Sequence, residues 1–235
     1  MRFFFFKHFY KNIDVTISPS NFYANVAREI NVFRNVIVVH NGIEALPFSS
    51  LPDNKNVCFL GRIDRVKGLD ILLQAMPEVL RQIPDATLTV AGDGVLKEYC
   101  EELSRDLGVG ESVRFLGHLA YEPTMQVLTD ASILIVPSIF PDNLPTTCIE
   151  AMFIGRPIIA SQIGGIPEMV AHEKTGLLVK PSDPEGLARA VITLLRDPHA
   201  CVEFGTMGRV HAEKKFSVEE YINKTLGIYE SLLKI

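Results

Sequence analysis

The chain has 235 residues, of which 47% are hydrophobic and 22% are charged. This composition excludes a disordered or fibrous protein, and the length fits one large domain or two small ones. The formal net charge is −5, which argues against a general binder of nucleic acids or other polyanions. Any anion that the protein binds must therefore be held at a local site.

The cysteines, the histidines and the amino terminus show no pattern typical of a metal site, a membrane span or a signal peptide. The four cysteines are widely spaced and form no Cys-x-x-Cys pair, and the histidines show no metal-ligand spacing. We therefore expect no metal site and a reduced, cytoplasmic setting. The phenylalanine run at residues 3–6 is too short to cross a bilayer, and no signal-peptide cleavage pattern follows it.

The first 45 residues differ from the rest of the chain. Their pattern predicts a strand over 14–18, a helix over 21–30 and a strand over 35–40, which is typical of the end of an α/β unit. A segment rich in Pro, Ser, Asp and Asn follows, as in interdomain linkers. We predict an incomplete amino-terminal unit at 1–45, a linker at 46–55, a ligand-binding domain at 56–217 and a terminal helix at 218–235.

From residue 57 onward, short apolar runs alternate with amphipathic stretches, which predicts an α/β fold with a doubly wound, Rossmann-like parallel sheet. Strands are predicted at residues 57–60, 86–91, 113–116, 132–136 and 157–160. Each predicted strand ends in a polar or glycine-rich loop. Ligands of such sheets bind at the carboxyl ends of the strands, so we expect the functional residues in these loops.

The loop after the first of these strands carries Gly61-Arg62 and Lys67-Gly68. Cations at a helix N-terminus oppose the helix dipole unless an anion occupies the site, so Arg62 and Lys67 suggest a phosphate. The alternative is that both are solvated surface cations.

Residues 137–152 contain a second candidate. Pro145 suits the first position of a helix, which leaves the amides of Thr146 and Thr147 free to bind an anion. Glu150, one turn further, is expected to line the same pocket and to accept hydrogen bonds from sugar hydroxyls. Asp142, taken alone, fits a turn or helix-start carboxylate better than a catalytic one.

Other nucleotide-binding and hydrolase motifs are incomplete. Gly92-Asp93-Gly94 has Lys97 where a dinucleotide fingerprint needs its third glycine, so an NAD-dependent oxidoreductase is disfavoured. Neither a P-loop nor a Gly-x-Ser-x-Gly elbow occurs. For His118 a structural hydrogen bond is the default interpretation.

Taken together, the motifs resemble the retaining glycosyltransferases of family 4, which have the two-domain GT-B architecture. The resemblance covers about residues 13–233. It rests on His40-Asn41-Gly42-Ile43, Gly61-Arg62, Lys67-Gly68, Ala91-Gly92-Asp93-Gly94, Phe115-Leu116-Gly117, Pro137-Ser138, Glu150-Ala151-Met152, Gly164-Gly165-Ile166-Pro167-Glu168 and Thr175-Gly176-Leu177-Leu178.

The resemblance implies a nucleoside-diphosphate-sugar donor, bound without a metal or another cofactor. Arg62 and Lys67, after Gly61, match the family's cations that neutralise the diphosphate and stabilise the leaving group. His118 and Leu119 fall where the family's backbone approaches the nucleotide base.

Asp142 and Glu150 match the two acidic positions of the family's E-x7-E element. Glu150 would accept hydrogen bonds from the ribose. Asp142 stands where the family has a glutamate that contacts the donor sugar on the face opposite the acceptor. Its side chain is one methylene shorter, so either the loop moves inward or a water bridges the contact. The role of Glu168 is open between packing and loop positioning.

The resemblance covers only the end of the family's amino-terminal domain, which holds the acceptor. We therefore expect the donor-binding half of a retaining hexosyltransferase that acts on a glycan or lipid acceptor. The alternative is a non-catalytic nucleotide-sugar-binding module that lacks its acceptor domain. No nucleic-acid partner is expected, and peripheral association with the cytoplasmic membrane face stays open. The exposed amino-terminal unit predicts self-association.

Overall fold

A computed structural model describes residues 12–31, 33 and 35–233 of the chain. The phenylalanine run at residues 3–6 lies outside the described residues. The described strands form two parallel sheets, one of two strands and one of six. The expected α/β class with a doubly wound parallel sheet is confirmed.

The two-stranded sheet pairs β1 (Thr16–Ser18) with β2 (Val36–Val38), and α1 (Asn21–Glu29) connects the two strands. The larger sheet contains β3 (Asn56–Leu60), β4 (Thr87–Ala91), β5 (Val113–Phe115), β6 (Ile133–Val136), β7 (Ile158–Ser161) and β8 (Gly176–Val179). Its helices are α2 (Leu69–Gln82), α3 (Lys97–Asp106), α4 (Tyr121–Asp130), α5 (Thr146–Ile154), α6 (Pro184–Arg196) and α7 (Pro198–Lys215), and α8 (Val218–Leu233) follows. Short 3-10 turns occur at Arg65–Lys67, Gly110–Ser112 and Ile166–Glu168.

The strands of the larger sheet lie in the order β5-β4-β3-β6-β7-β8. The chain first builds outward from β3 through β4 to β5, and then returns to place β6 on the other side of β3. Loops from β3 and β6 therefore leave the sheet in opposite directions and open a crevice at their carboxyl ends. This crevice is where a ligand is expected.

The core lies on both faces of this sheet. Along β3, Val57 and Phe59 belong to the cluster that contains the apolar faces of α2 and α6, whereas Cys58 and Leu60 belong to the cluster that contains α5. Full burial on both faces explains why β3 and β6 each contain four consecutive apolar residues rather than an alternating pattern. Each large side chain buried in this way contributes roughly 1.5–3 kcal/mol.

A carboxylate joins the small amino-terminal unit to the larger sheet. Glu168, in the 3-10 turn after β7, accepts hydrogen bonds from the amides of Asn21 and Phe22 at 2.8 and 2.9 Å. It also accepts one from the Asn21 side chain at 2.7 Å and lies 3.2 Å from Nε2 of His40. Burial favours a higher pKa for Glu168, but these hydrogen bonds outweigh it, so its pKa is lowered. Glu168 therefore anchors the start of α1 as an ionised group.

The segment predicted as a linker is held in place by a buried arginine. The Arg156 guanidinium donates to the carbonyls of Ser49 and Ser50 at 2.9 Å each, and to that of Thr129 at 2.8 Å. These contacts give acceptors to both terminal nitrogens of the buried guanidinium. The segment is thus packed against the domain, and the proposed division at residues 45, 55 and 217 stays a prediction.

Helix α4 and strand β8 were not predicted, whereas the bounds predicted for α1 and for the strands β1 to β7 agree with the structure within about two residues. Helix α4 carries Pro123, which with its neighbours is typical of a loop, but proline is tolerated in the first turn of a helix. Strand β8 is short and follows an irregular polar turn. Its residues were therefore identified only as part of the motif Thr175-Gly176-Leu177-Leu178 and not as a strand. It nevertheless pairs with β7 over four residues and completes the edge of the sheet.

Candidate functional site

Two adjoining cavities lie at the carboxyl ends of the strands. The first, of about 310 Å³, is bounded mainly by the loops after β3, β4 and β5. The second, of about 220 Å³, is bounded by the loops after β3 and β6 and by the start of α5. Both walls include Leu60, Gly61, Arg62 and Thr147, so the two cavities form one continuous crevice.

Lys67 is held in the second cavity by local turn geometry. Asp64 accepts hydrogen bonds from the amides of Val66 and Lys67 at 3.1 and 3.2 Å, which fixes the 3-10 turn. Gly68 follows with φ +68°, and its Cα lies so close to the carbonyl of Pro137 that a Cβ would sit 2.1 Å from the oxygen. The loops after β3 and β6 therefore touch at Gly68, and this contact directs Lys67 toward the crevice.

Lys67 and Asp142, predicted as separate contacts to the donor, pair with each other. The Lys67 Nζ donates to Oδ2 of Asp142, and the Ser138 hydroxyl donates to the same oxygen at 3.2 Å. Both partners of the ion pair are largely shielded from solvent. The solvated-cation interpretation is therefore wrong for Lys67.

Arg62 differs from Lys67. Its side chain is 73% exposed, and its Nη2 lies 3.1 Å from Oδ2 of Asp64. Such a surface pair is weak, so the guanidinium can turn toward either cavity at little cost. The solvated-cation interpretation fits Arg62 in this structure, although the residue lines both cavities.

Helix α5 begins at Thr146, so Pro145 is its N-cap residue. The prediction that Pro145 is the first helical residue is therefore wrong by one position. Thr146 and Thr147 line the second cavity. The amides of a helix's first turn have no partner within the helix, and the helix dipole adds a partial positive charge there. The start of α5 therefore supplies donors for an anion, as expected.

Glu150 does not contribute to the wall of either cavity. The expectation that it lines the same pocket as Thr146 and Thr147 therefore stays a prediction. Burial raises its pKa. The pKa of Tyr121 is raised as well, first by the burial of its own hydroxyl and then by the charge of Glu150. Tyr121 is thus a neighbour of Glu150 that the motif analysis missed.

The first cavity brings together both residues predicted for the base. His118, which is exposed, and Leu119 line it, with Asp93 and Thr124 as further wall residues that sequence reasoning did not select. No motif singled out Thr124, because it lies in the unpredicted helix α4. Asp64 and Ser138 were not assigned a site role either. The role of Asp64 depends on the 3-10 turn, and that of Ser138 depends on the ion pair between Lys67 and Asp142.

Eight of the nine predicted site residues therefore line the crevice, and Glu150 is the exception. The eight are Gly61, Arg62, Lys67, His118, Leu119, Asp142, Thr146 and Thr147.

Across the described part of the chain, no three His, Cys, Asp or Glu side chains converge in a way that could hold a metal ion. None of the described helices has the length and apolar character needed to span a membrane.

Comparison with known proteins identifies the family of this chain. Residues 43–211 match the family described as Glycosyl transferases group 1. A GDP-mannose-dependent monoacylated α-(1-6)-phosphatidylinositol monomannoside mannosyltransferase of Corynebacterium glutamicum is 35% identical over 171 residues, which cover 70% of this chain and 44% of that protein. The chain spans about half the length of the curated relatives it matches.

Solved structures show the same fold. Sucrose-phosphate synthase from Thermosynechococcus elongatus superposes with a TM-score of 0.86 at 29% identity, over 99% of this chain and 62% of that one. HepE from Anabaena, solved in complex with UDP, gives a TM-score of 0.83 at 22% identity, over 96% of this chain and 65% of that one. From its motifs, its crevice and these matches, the chain belongs to the glycosyl transferases group 1 family.

Proposed function

We propose that this chain is the donor-binding half of a retaining glycosyltransferase, which binds a nucleoside-diphosphate sugar in the crevice and serves a glycan or lipid acceptor. The observation that carries the proposal is the second cavity. There Lys67, Arg62 and the first amides of α5 converge on one small volume. This set of donors and positive charges suits a diphosphate.

The proposed chemistry needs little from the protein beyond charge and position. The bond between the anomeric carbon and the diphosphate oxygen breaks, and its electron pair leaves with the phosphate. Arg62, Lys67 and the amides of α5 stabilise the negative charge that develops there, so we propose that no metal ion is required. An acceptor hydroxyl then bonds to the anomeric carbon on the face that the diphosphate left, and its proton is released.

The two cavities divide the donor in the proposed complex. The first cavity takes the nucleoside, with Leu119 and His118 beside the base, and the second takes the diphosphate and the sugar. We place Glu150, one turn along α5 from Thr147, near the ribose as an acceptor of hydrogen bonds from its hydroxyls. Relatives and structural neighbours support this class of donor, because their names include a GDP-mannose-dependent mannosyltransferase and a complex with UDP.

Calorimetric titration of the folded chain with UDP and GDP, each with and without EDTA, tests the proposal. We expect one diphosphate to bind more tightly than its parent nucleoside, and EDTA to leave the affinity unchanged. Lack of binding by both diphosphates, in a sample whose circular dichroism shows the α/β fold, would refute the proposal. If the chain releases free sugar from a bound donor, NMR should show the donor's anomeric configuration in the first product.

A further inference from the structure

The loop that carries Asp142, residues 141–143, is fixed on one side by two glycines. The amide of Gly165 donates to the carbonyl of Asp142 at 2.8 Å. A Cβ on Gly164 would lie 2.2 Å from that same oxygen, and one on Gly165 would lie 1.9 Å from the carbonyl of Asn143. The two backbones are therefore in direct contact, and the loop cannot move toward the glycines.

A tyrosine of the amino-terminal unit fixes the other side of this loop. The hydroxyl of Tyr23, in α1, donates to the carbonyl of Pro141 at 3.1 Å. Ser20, which caps α1 through its bond to the Tyr23 amide, also approaches Gly165, since a Cβ there would lie 3.2 Å from the Ser20 Cβ. The loop thus lies between α1 and the glycine turn.

Glu168 fixes these two supports relative to each other. Its amide donates to the carbonyl of Gly165 at 3.0 Å, so it belongs to the glycine turn. Its carboxylate binds the first amides of α1, as described above, and so determines where Tyr23 stands. Neither Tyr23 nor Glu168 lines either of the two cavities.

We infer that Tyr23 and Glu168 are positioning residues, which hold the 141–143 loop so that the Asp142 carboxylate reaches the donor sugar. The inference rests on the proposed function, because it assigns the sugar to Asp142. The resemblance implies a glutamate at this position, and aspartate is one methylene shorter, so the reach of the Asp142 carboxylate depends closely on where the loop is held. The amino-terminal unit thereby contributes to the donor site without contacting the donor.

The test is the Tyr23→Phe variant, which removes one hydroxyl and keeps the ring. Dissociation constants are measured for UDP and UDP-glucose, and for GDP and GDP-mannose, and the affinity ratio of sugar nucleotide to diphosphate is taken for the pair that binds. One hydrogen bond is worth about 0.5–1.5 kcal/mol, so we expect this ratio to fall roughly 2- to 10-fold while the affinity for the diphosphate stays within about 2-fold. Tyr229→Phe, at an exposed tyrosine of α8, is the matched control and should leave the ratio unchanged.

Two further variants separate positioning from general destabilisation. Glu168→Gln should lower the same ratio, and Tyr23→Phe should have no further effect in an Asp142→Asn background, because the carboxylate being positioned is gone. An unchanged ratio in Tyr23→Phe, or an additive loss in the Asp142→Asn background, would overturn the inference while leaving the proposed function intact. Failure of the unsubstituted chain to bind any of the four nucleotides would refute the proposed function, and this inference with it.

Discussion

At the scale of single residues, the pair formed by Lys67 and Asp142 controls the charge of the second cavity. The carboxylate neutralises the lysine, and the Ser138 hydroxyl helps to hold it there. A diphosphate that enters must compete with Asp142 for the lysine or share it. The net attraction for an anion therefore depends on both members of the pair.

Lys67→Ala should weaken the binding of the nucleoside diphosphate by roughly 10- to 100-fold, because it removes a shielded cation and leaves the Asp142 carboxylate facing the anion. Binding of the parent nucleoside should change little, since Lys67 does not line the first cavity. The double variant Lys67→Ala/Asp142→Asn should recover part of the loss. Calorimetric titration measures the affinity of Lys67→Ala for the diphosphate and for the nucleoside, and the affinity of the double variant for the diphosphate.

Arg65→Ala provides the control for this prediction. Arg65 lies in the same 3-10 turn and is exposed, but it lines neither cavity. Its loss should weaken the diphosphate by no more than about 2-fold, as expected of a screened surface charge. An equal effect of Lys67→Ala on nucleoside and diphosphate, or an effect of Arg65→Ala as large, would contradict the assigned role.

At the scale of elements, the shape of the first cavity depends on how closely the strand-end loops approach each other. Gly92, after β4, has φ +152°, and a Cβ there would lie 1.8 Å from the carbonyl oxygen of Gly61, after β3. The amide of Gly92 also donates to the carbonyl of Gly117, after β5, at 2.8 Å. Three loops thus meet at one glycine, and a side chain there must separate them.

Gly92→Ala should therefore lower the free energy of unfolding by about 1–3 kcal/mol and weaken the nucleoside as well as the diphosphate, at least about 10-fold for each. Gly227→Ala is the opposite case. Gly227 lies within α8 with open space around its Cα, so alanine should stabilise the helix by up to about 1 kcal/mol and leave binding unchanged. Chemical denaturation measures the free energy of unfolding of both variants, and titration measures their affinities for the nucleoside and the diphosphate. A Gly92→Ala protein with normal stability and binding would contradict the prediction.

The same elements show what sequence could and could not predict. The strands β3, β4 and β6 were predictable because both faces are buried, and the position of Lys67 and Thr147 at their carboxyl ends follows from the parallel order. The pairing of Lys67 with Asp142, which are 75 residues apart in the sequence, was not predictable, because it depends on the contact between Gly68 and Pro137.

At the scale of the whole molecule, two surfaces are left open. Parallel sheets are normally covered on both faces, yet Ile17 of β1 is exposed. Helix α8 buries none of its residues, although Ile222, Leu226, Tyr229 and Leu233 recur at the spacing of a single apolar stripe. An apolar stripe of this length is typical of a surface that packs against another polypeptide.

These surfaces lead us to expect that the chain, by itself, associates in solution. Leu226 and Tyr229 are 53% and 60% exposed, and contact between two copies would remove both from water. Sedimentation velocity at increasing concentration should show species larger than a monomer, and Leu226→Glu should shift the distribution toward the monomer by placing a charge in the stripe. The substitution Lys224→Gln, on the same helix but outside the stripe, lowers the net charge by the same one unit and is therefore the control for charge. A monodisperse monomer for the unsubstituted chain would contradict the prediction, and equal effects of the two substitutions would mean that the stripe is not the contact.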